Sequence, residues 1–362
     1  MPNQAGPLAG VRIVEFAGIG PVPFAGMLLA DLGADVVRID RVGAAVDKRD
    51  ATNRGRTAVS LDLKNPGNVE LALKLCASAD ALMEGFRPGV MERLGLGPAQ
   101  VSERNRRLVY ARMTGWGQDG PLARSAGHDI NYIAISGALA AIGTREAPVP
   151  PLNLVGDYGG GSLYLVTSLL AAIIEARASG QGQVVDVAMC DGAASLMSLF
   201  YSRAGSGEWN EQRASNIVDG GAHFYNTYEC ADGKFIAVGA IEPEFYALLT
   251  RLLQLGEADE PAQGDQSSWP TQRERFREIF LKRTRAEWCQ ILEGTDACFA
   301  PVLGMSEAPA HPQYRDRGFF VQHEGVAQPG PVPRYSRTKC SVSAYASSSA
   351  DAVLSCWRAA LP

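Results

Sequence analysis

The sequence lacks the marks of several protein classes. Its seven cysteines are scattered and include no CxxC pair, so neither a zinc knuckle nor a disulfide framework is expected and the thiols are expected to be free. No run of about 18 apolar residues is present, so no membrane-spanning helix is predicted. The first residues do not resemble a signal peptide, and the final Ala-Ala-Leu-Pro is not a peroxisomal address. A cytoplasmic protein is therefore expected.

A surplus of positive charge is also missing. The chain has 34 basic and 39 acidic residues, which gives a formal net charge of -5, whereas nucleic-acid binders usually carry a basic surplus. No nucleic acid is expected as a partner, and a discrete anionic ligand is favoured over a polymer. One local cluster, formed by Lys48, Arg49, Arg54 and Arg56, predicts either a solvated loop or a small phosphate site.

The chain does have a large apolar content, with 46% hydrophobic residues over 362 positions. This content is enough for a sizeable core and favours two domains over one. The first 40 residues predict a strand at 11–16, a helix at 24–32 that ends at Gly33, and a strand at 36–39. Such a β-α-β unit closes right-handed into a parallel sheet. The alternation continues with predicted helices at 68–79 and 162–177 and predicted strands at 81–84, 108–113 and 183–187.

The pattern changes near residue 205. A polar stretch at 205–221 precedes a predicted hairpin around Ala231-Asp232-Gly233 and three helical stretches near 244–255, 271–283 and 285–294. The sequence therefore predicts an α/β domain with a parallel sheet and a smaller α+β domain. The predicted boundaries are a large domain at 1–190 completed by 325–362, a linker at 191–223, a small domain at 224–300 and a return linker at 301–324.

Two glycine-containing motifs follow predicted strands. Gly18-Ile-Gly-Pro-Val-Pro begins like a dinucleotide-binding fingerprint, but Pro23 replaces the third glycine, so a tight strand-to-helix turn is an equal alternative. In Glu84-Gly-Phe-Arg-Pro-Gly, the glycine lets a ligand approach the backbone and Arg87 offers a forked donor to phosphate. A surface turn with a solvated arginine is the alternative there. Arg38 and Arg93 are further candidate ligands of an anion.

Three other polar residues are candidates for chemistry. His128 follows a glycine and precedes a helical apolar run, where backbone N–H groups would point at an anion or a polarised carbonyl. Asp157 lies between glycines 29 residues later, and Glu242 precedes Pro243. Each has an ordinary alternative: a histidine at a helix start, an aspartate with local turn hydrogen bonds, and a glutamate at a helix end.

Five strings taken together resemble a known family. In order and at family-like spacing from about residue 7 to about residue 340, they resemble the α-methylacyl-CoA racemases, a group within family III of the CoA-transferases. The first two strings are common to the superfamily, and the last two are more specific to the racemases. The strings are Asp31-Leu-Gly-Ala-Asp-Val-Val-Arg-Ile-Asp, Glu84-Gly-Phe-Arg-Pro-Gly, Ala111-Arg-Met-Thr-Gly-Trp-Gly-Gln, Gly127-His-Asp-Ile-Asn-Tyr and Gly239-Ala-Ile-Glu-Pro.

The resemblance implies a fold and a site. It implies a Rossmann-like large domain and a small domain, in two chains that interlock as a homodimer and share their active sites. His128 and Asp157 would be the two acid–base residues, and Glu242 of the other chain would pair with the histidine. The positions that match contacts to CoA are Arg38, Leu61, Asp62, Leu63, Lys64, Gly85, Phe86, Arg87, Arg93, Gly127, Asp129, Ile130, Asn131 and Tyr132.

The expected activity is racemisation of 2-methyl-branched acyl-CoA thioesters through an enolate. His128 and Asp157 would exchange the α-proton, and the backbone N–H of Asp129 is the candidate donor to the thioester oxygen. No metal and no cofactor beyond the CoA of the substrate are expected. Three alternatives remain open: a CoA-transferase with Asp157 as nucleophile, a non-catalytic acyl-CoA binder and, last, a nicotinamide-dependent dehydrogenase that rests only on the broken fingerprint. The histidine favours racemisation, because a nucleophilic aspartate needs no base opposite it.

Overall fold

The computed structural model describes residues 5–256 and 262–359. In chain order, the strands are β1 Arg12–Phe16, β2 Asp35–Asp40, β3 Arg56–Ser60, β4 Ala81–Glu84, β5 Val109–Thr114, β6 Val184–Ala188, β7 Tyr225–Glu229, β8 Phe235–Gly239, β9 Phe299–Pro301, β10 Phe320–His323, β11 Val326–Pro329 and β12 Ala346–Ser347. The α-helices are α1 Pro21–Asp31, α2 Pro66–Ala77, α3 Val90–Arg93, α4 Pro98–Arg104, α5 Asp129–Ile135, α6 Ala138–Ala141, α7 Tyr164–Ser179, α8 Met189–Leu196, α9 Ser198–Gly205, α10 Pro243–Leu252, α11 Trp269–Phe280, α12 Arg285–Leu292, α13 Pro312–Asp316 and α14 Ala350–Ala359.

The described chain forms two compact units. Unit 1 comprises the described residues of Met1–Ser136, Pro151–Met197 and Gln313–Pro362, and unit 2 those of Gly137–Pro150 and Ser198–Pro312. The predicted linker at 191–223 is thus divided, with α8 in unit 1 and α9 in unit 2. The predicted return linker at 301–324 is divided in the same way, near Pro312.

Unit 1 is built on a seven-stranded sheet in which every pair is parallel, with the order β12-β3-β2-β1-β4-β5-β6. Helices α1 and α7 bury Leu29 and Leu169 against one face. Helices α2 and α14 bury Leu75 and Trp357 against the other. Since both faces are covered, the central strands are apolar throughout, as is usual for parallel sheets. The predicted α/β fold is confirmed. From β1 the chain adds β2 and β3 on one side of the sheet and then β4, β5 and β6 on the other, so the strand order reverses direction between β1 and β4.

Two of the four residues in the basic cluster near residue 50 are buried, although a solvated loop was one of the two predictions for it. The guanidinium of Arg56 is fully buried and pairs with Glu15 at 3.1 Å, and that of Arg54 is almost fully buried and pairs with Asp31. Strand β3, which the sequence analysis missed, carries Arg56 between the sheet and α1. Both arginines therefore stabilise the interior, because a buried charge needs a partner, and they are not free to bind phosphate.

The long helix of unit 1 starts earlier than the sequence predicts. A π-helical segment, Leu154–Leu163, runs directly into α7, where a glycine-rich loop was expected. Glycines on both elements allow close packing on α8, since a Cβ on Gly160 would lie 2.5 Å from the backbone nitrogen of Ala193 and a Cβ on Gly192 would lie 1.9 Å from the carbonyl oxygen of Gly160. In the described chain, the joined helix Leu154–Ser179 is long and apolar enough to cross a membrane by length and composition alone, and 44% of its most apolar window is buried inside the protein.

Unit 2 contains a three-stranded antiparallel sheet in the order β7-β8-β9. The predicted hairpin is confirmed, with Thr227 opposite Ala237. Helices α10, α11 and α12 cover one face of this sheet through Leu249, Phe276 and Trp288. The smaller α+β unit therefore has its own apolar core.

Candidate active site

A cavity of about 330 Å³ opens in unit 1 at the carboxyl ends of β1, β4 and β5. Its walls include Pro21 after β1, Arg87 after β4 and Trp116 after β5. This is the edge of the sheet at which open parallel folds bind ligands, next to the strands where the order reverses. The topology of the sheet alone therefore accounts for the position of this cavity.

His128 and Asp157 both line this cavity. His128 is the exposed N-cap residue of α5, and its backbone N–H donates to Asn131 Oδ1 at 3.0 Å. That hydrogen bond fixes the start of the helix, which holds the imidazole at the cavity wall. Two sequence-predicted catalytic residues are therefore brought together from segments that are far apart in the chain.

Asp157 lies in the π-helical segment and is half-buried. Burial raises the pKa of its carboxyl group above the usual value, and the nearby charge of Asp129 raises it further. A hydrogen bond from Asn153 Nδ2, 3.2 Å from Asp157 Oδ2, and the neighbouring His128 oppose this rise in pKa. The result is an aspartate that holds a proton more readily than a solvated one, as suits a proton-transfer role.

The loop after β1 has a specific relation to this aspartate. Gly20 adopts a φ of 73°, which side-chain-bearing residues rarely adopt, and a Cβ at this position would lie 3.4 Å from Asp157 Oδ2. Helix α1 begins at Pro21, so the two prolines stiffen the first turn. The glycine of the broken fingerprint is therefore favoured by its backbone conformation, in a loop that passes next to Asp157.

Asp129 is buried and lies behind the cavity wall. Its Oδ1 accepts the backbone N–H of Asp157 at 2.6 Å, which ties the start of α5 to the π-helical segment. Its Oδ2 is buried without a hydrogen-bond partner among the described residues. The side chain of Asp129 thus acts on the position and the pKa of Asp157. The role of its backbone N–H toward a thioester stays a prediction.

An aromatic pair supports the histidine loop. The Tyr132 hydroxyl donates to the carbonyl oxygen of Gly127, and its ring meets Trp116 edge to face at 4.8 Å between centroids. Trp116 lines the cavity, and its buried Nε1 has no hydrogen-bond partner among the described residues. The sequence analysis gave Trp116 no role, although it lies in the string that begins at Ala111. Its place next to Gly115 and Gly117 at the end of a predicted strand was the available signal.

The other sequence-predicted positions divide into two groups. Those that line the cavity are Gly85, Phe86, Arg87, Gly127 and Tyr132. Those that are not among its lining residues are Arg38, Leu61, Asp62, Leu63, Lys64, Arg93, Asp129, Ile130, Asn131 and, in unit 2, Glu242.

Arg38 and Glu242 are in contrasting surroundings. Arg38 is 5% exposed, and its guanidinium pairs with Asp40 at 3.0 Å and donates to Asn53 Oδ1 at 2.6 Å. It is therefore already engaged inside the protein, and its predicted contact with CoA stays a prediction. Glu242 is the N-cap residue of α10 and is exposed. Glu244, in the first turn of the same helix, is exposed as well.

A metal ion and an activated thiol each have requirements that the side chains of the described residues would have to meet. Among the residues that the structure describes, no group of three histidine, cysteine, aspartate or glutamate side chains is placed to hold a metal ion. All seven cysteines are free. Cys190 packs beside the core that underlies the cavity, and burial raises the pKa of its thiol to about 11, so it is not an activated nucleophile.

Comparisons with known proteins agree on the superfamily. Residues 8–346 match the model of CoA-transferase family III. The chain is 48% identical over 339 residues to the Mus musculus protein named alpha-methylacyl-CoA racemase, covering 93% of this chain and 88% of that protein. It is 44% identical over 328 residues to the Homo sapiens protein of the same name, covering 90% and 86%. A crystal structure of a CAIB/BAIF family protein from Brucella suis has the same fold, with a TM-score of 0.81, 24% identity and coverage of 98% and 100%.

Proposed function

Since the chain belongs to CoA-transferase family III, we propose that it is a racemase that interconverts the 2R and 2S epimers of 2-methyl-branched acyl-CoA thioesters. The observation that carries this proposal is that His128 and Asp157 line one cavity. The extensive identity to two proteins named alpha-methylacyl-CoA racemase supports the same activity.

The chemistry requires a base on each face of the α-carbon. The proton beside a thioester is weakly acidic, and its removal gives an enolate that must be reprotonated from the opposite face. His128 and Asp157 approach the cavity from α5 and from the π-helical segment, and either one removes the proton while the other returns it. Positioned acid–base groups of this kind contribute about 10²–10⁴-fold each in rate.

The environment of Asp157 suits this exchange. In one direction it must accept the α-proton, and in the other it must start protonated. Burial raises the pKa of Asp157, which makes the carboxylate a stronger base and keeps the protonated form accessible. Asn153 and Asp129 hold the group in place through its carboxylate and its backbone N–H.

The CoA part of the substrate is assigned to the loop after β4. Gly85 leaves the backbone open at the cavity, and the exposed Arg87 provides a forked donor for a phosphate or a pantetheine carbonyl. Enolate formation calls for hydrogen-bond donors and two bases, all of which amino-acid side chains and backbone supply. The proposal therefore includes no cofactor beyond the CoA carried by the substrate.

The proposal also includes a homodimer with shared active sites. Large apolar side chains of unit 1 are exposed in the single chain, among them Ile135, Leu163 and Ile174 at 61%, 51% and 70%. Burial of these side chains against another chain would remove apolar surface from water, which favours association. Glu242 from unit 2 of the partner would then orient the His128 imidazole and stabilise its protonated form, as the carboxylate of a catalytic triad does.

The deciding experiment uses purified protein, one pure epimer of a 2-methylacyl-CoA and deuterated water, without an acceptor acid. Incorporation of α-deuterium together with the other epimer is expected. His128→Ala and Asp157→Ala should each abolish epimer formation while acyl-CoA binding persists. His311→Ala and Asp351→Ala are matched controls outside the cavity and should stay close to wild type. Epimerisation at the wild-type rate in either cavity variant would contradict the mechanism.

The same assay separates the main alternative. A CoA-transferase would show no exchange without an acceptor and would move CoA to an added carboxylic acid through a mixed anhydride on Asp157. In that case Asp157→Ala would lose CoA transfer, and His128→Ala would retain it.

A further inference from the structure

A second cavity of about 440 Å³ lies in unit 1 at the opposite edge of the sheet. It is formed by Asp80 directly before β4, by Arg107 two residues before β5, and by Arg12 at the start of β1. The ends of α7 and α14 complete it. Strand β5 has six residues, and at about 3.3 Å per residue it separates the two edges by about 20 Å. This amino-edge cavity is therefore distinct from the one that holds His128 and Asp157.

The amino-edge cavity is lined by four arginines and one carboxylate. Arg107 and Arg358 have no carboxylate partner among the described residues. The guanidinium of Arg12 lies over the Trp357 ring, 5.7 Å from its centroid. Arg177 lies 3.5 Å from Asp80, and it is the only one of the four that is paired with a carboxylate within the described part of the chain. Arg358 Nε donates to the carbonyl oxygen of Leu354 at 3.3 Å. Asp80 is further engaged, because its Oδ2 accepts the backbone N–H of Arg12 at 2.9 Å.

The charge of this cavity stays positive when helix ends are included. Among the described residues that line it, four guanidinium groups and one carboxylate leave three positive charges. The carboxyl ends of α2, α7 and α14 face this edge, and each contributes about half a negative charge. The helix dipoles thus offset about half of the excess positive charge. Without a bound anion, the arginines that carry the remaining charge repel one another.

The floor of the cavity is fixed before any ligand arrives. The Asn105 side chain donates to the carbonyl oxygen of Ala79 at 2.9 Å and accepts the backbone N–H of Arg107 at 3.0 Å. These bonds connect the end of α2 to the loop before β5. Trp357 is buried and donates from Nε1 to Asp35 at 2.7 Å, which holds the ring under Arg12. These contacts fix the backbone of Arg107 and the ring below Arg12, so the guanidinium groups of the exposed Arg107 and the half-buried Arg12 extend from a rigid floor.

We propose that this amino-edge cavity binds a small ligand through a phosphate or diphosphate group. Guanidinium forks match the tetrahedral oxygens of phosphate and bind them through paired charge-assisted hydrogen bonds. The ligand is a second one, held on the side of the sheet away from the proposed racemase chemistry. Arg107 and Arg358 are its principal contacts, and Arg12 is the inner one.

The test is calorimetric titration of the full-length protein with inorganic pyrophosphate and with ADP. Each ligand is added up to about 10 mM, so that dissociation constants in the millimolar range or below are measured. Saturable binding is expected, and Arg107→Ala and Arg358→Ala should each weaken it about tenfold, the usual effect of losing a charge-assisted hydrogen bond. Tighter binding of ADP would identify a nucleotide as the source of the phosphate. Equal binding would identify a free phosphate compound.

Two matched variants make the outcome specific. Arg106→Ala removes an exposed arginine next to Arg107 that does not line this cavity, and it should leave pyrophosphate binding unchanged. Arg87→Ala removes the phosphate donor of the first cavity, and in this background Arg107→Ala and Arg358→Ala should still weaken pyrophosphate binding about tenfold. The proposal is overturned by an absence of saturable binding, by an equal loss in Arg106→Ala, or by a loss confined to Arg87→Ala. None of these results bears on epimerisation, which is measured separately.

Discussion

The carboxylate of Asp129 accepts a hydrogen bond from the backbone N–H of Asp157, with 2.6 Å between Oδ1 and N. This bond joins the helix that begins after His128 to the segment that carries the second proposed base. The two bases are therefore held in one frame by a side chain that does not itself line the cavity. The charge on Asp129 also raises the pKa of Asp157, so position and basicity are set by one residue.

Asp129→Asn separates these two effects. Asparagine keeps an oxygen for the Asp157 N–H but removes the charge that raises the pKa of Asp157. The acidic limb of the rate of α-deuterium incorporation should move to lower pH, with a modest fall in kcat. Asp129→Ala, which also removes the acceptor, should lower kcat by up to about 100-fold, as small misplacements of catalytic groups do. A pH profile unchanged in Asp129→Asn would show that its charge does not reach Asp157.

Asn153→Ala should shift the same profile in the opposite direction. The hydrogen bond from Asn153 stabilises the charged form of Asp157 and lowers its pKa. Its removal raises that pKa, so the carboxylate is lost at a higher pH and the acidic limb moves upward. The measurement is kcat/KM against pH for the direction in which Asp157 removes the proton. Movement in the same direction as Asp129→Asn would exclude this account.

Asp157→Asn should abolish epimerisation and raise the thermal midpoint. Because the folded-state pKa of Asp157 lies above its unfolded value, near 3.8, the charged form is less stable in the folded protein. This penalty is present at neutral pH and disappears as pH falls below the unfolded pKa, where both states are protonated. The gain in the thermal midpoint should therefore be largest near pH 7 and vanish near pH 3.5. A loss of stability at neutral pH would contradict it.

Arg56→Met should destabilise the fold strongly. Its guanidinium is fully buried and pairs with an equally buried Glu15 at 3.1 Å, so the substitution leaves a carboxylate without a partner in the interior. The expected loss is about 3–5 kcal/mol in the free energy of unfolding, from urea titration. Arg104→Met breaks the exposed pair with Glu70 and should lose no more than about 1 kcal/mol. Similar losses in both variants would refute the distinction.

Local sequence patterns predicted most of the strands and helices around the large sheet and the hairpin. The apolar run at 11–16 and the alternation about Asp232 predicted β1 and the hairpin β7–β8, because these depend on neighbouring residues. Strand β3 was missed, since Arg56 and Thr57 read as polar loop residues. Only the fold supplies Glu15 as the partner that allows an arginine to be buried there.

The site shows the same division. His128 and Asp157 were candidates from their glycine-containing surroundings, and a resemblance to a family implied their roles as bases. Their common cavity follows from the order of the strands. The π-helical segment around Asp157 was not predictable, because its glycines equally favour a turn. The contact of Asp129 with the Asp157 backbone and the inward position of Trp116 depend on distant segments, so no local pattern indicates them.

The proposed sharing of active sites between two chains predicts complementation between inactive variants. In co-expressed His128→Ala and Glu242→Gln chains, roughly half of the dimers are mixed. If Glu242 acts on the partner's histidine, each mixed dimer has one intact site. About one quarter of the wild-type activity should then return.

His128→Ala with Asp157→Ala is the matched control, since both residues belong to unit 1 and each site of a mixed dimer lacks one of them. No activity should return in that pair. Recovery in neither pair would place Glu242 beside the histidine of its own chain or outside the site. Glu244→Gln, at the first turn of the same helix, should be active alone, which would show that loss of an exposed acidic residue there is not enough to inactivate the enzyme. The combination of recovery in the first pair and none in the second would be produced only by a site built from two chains.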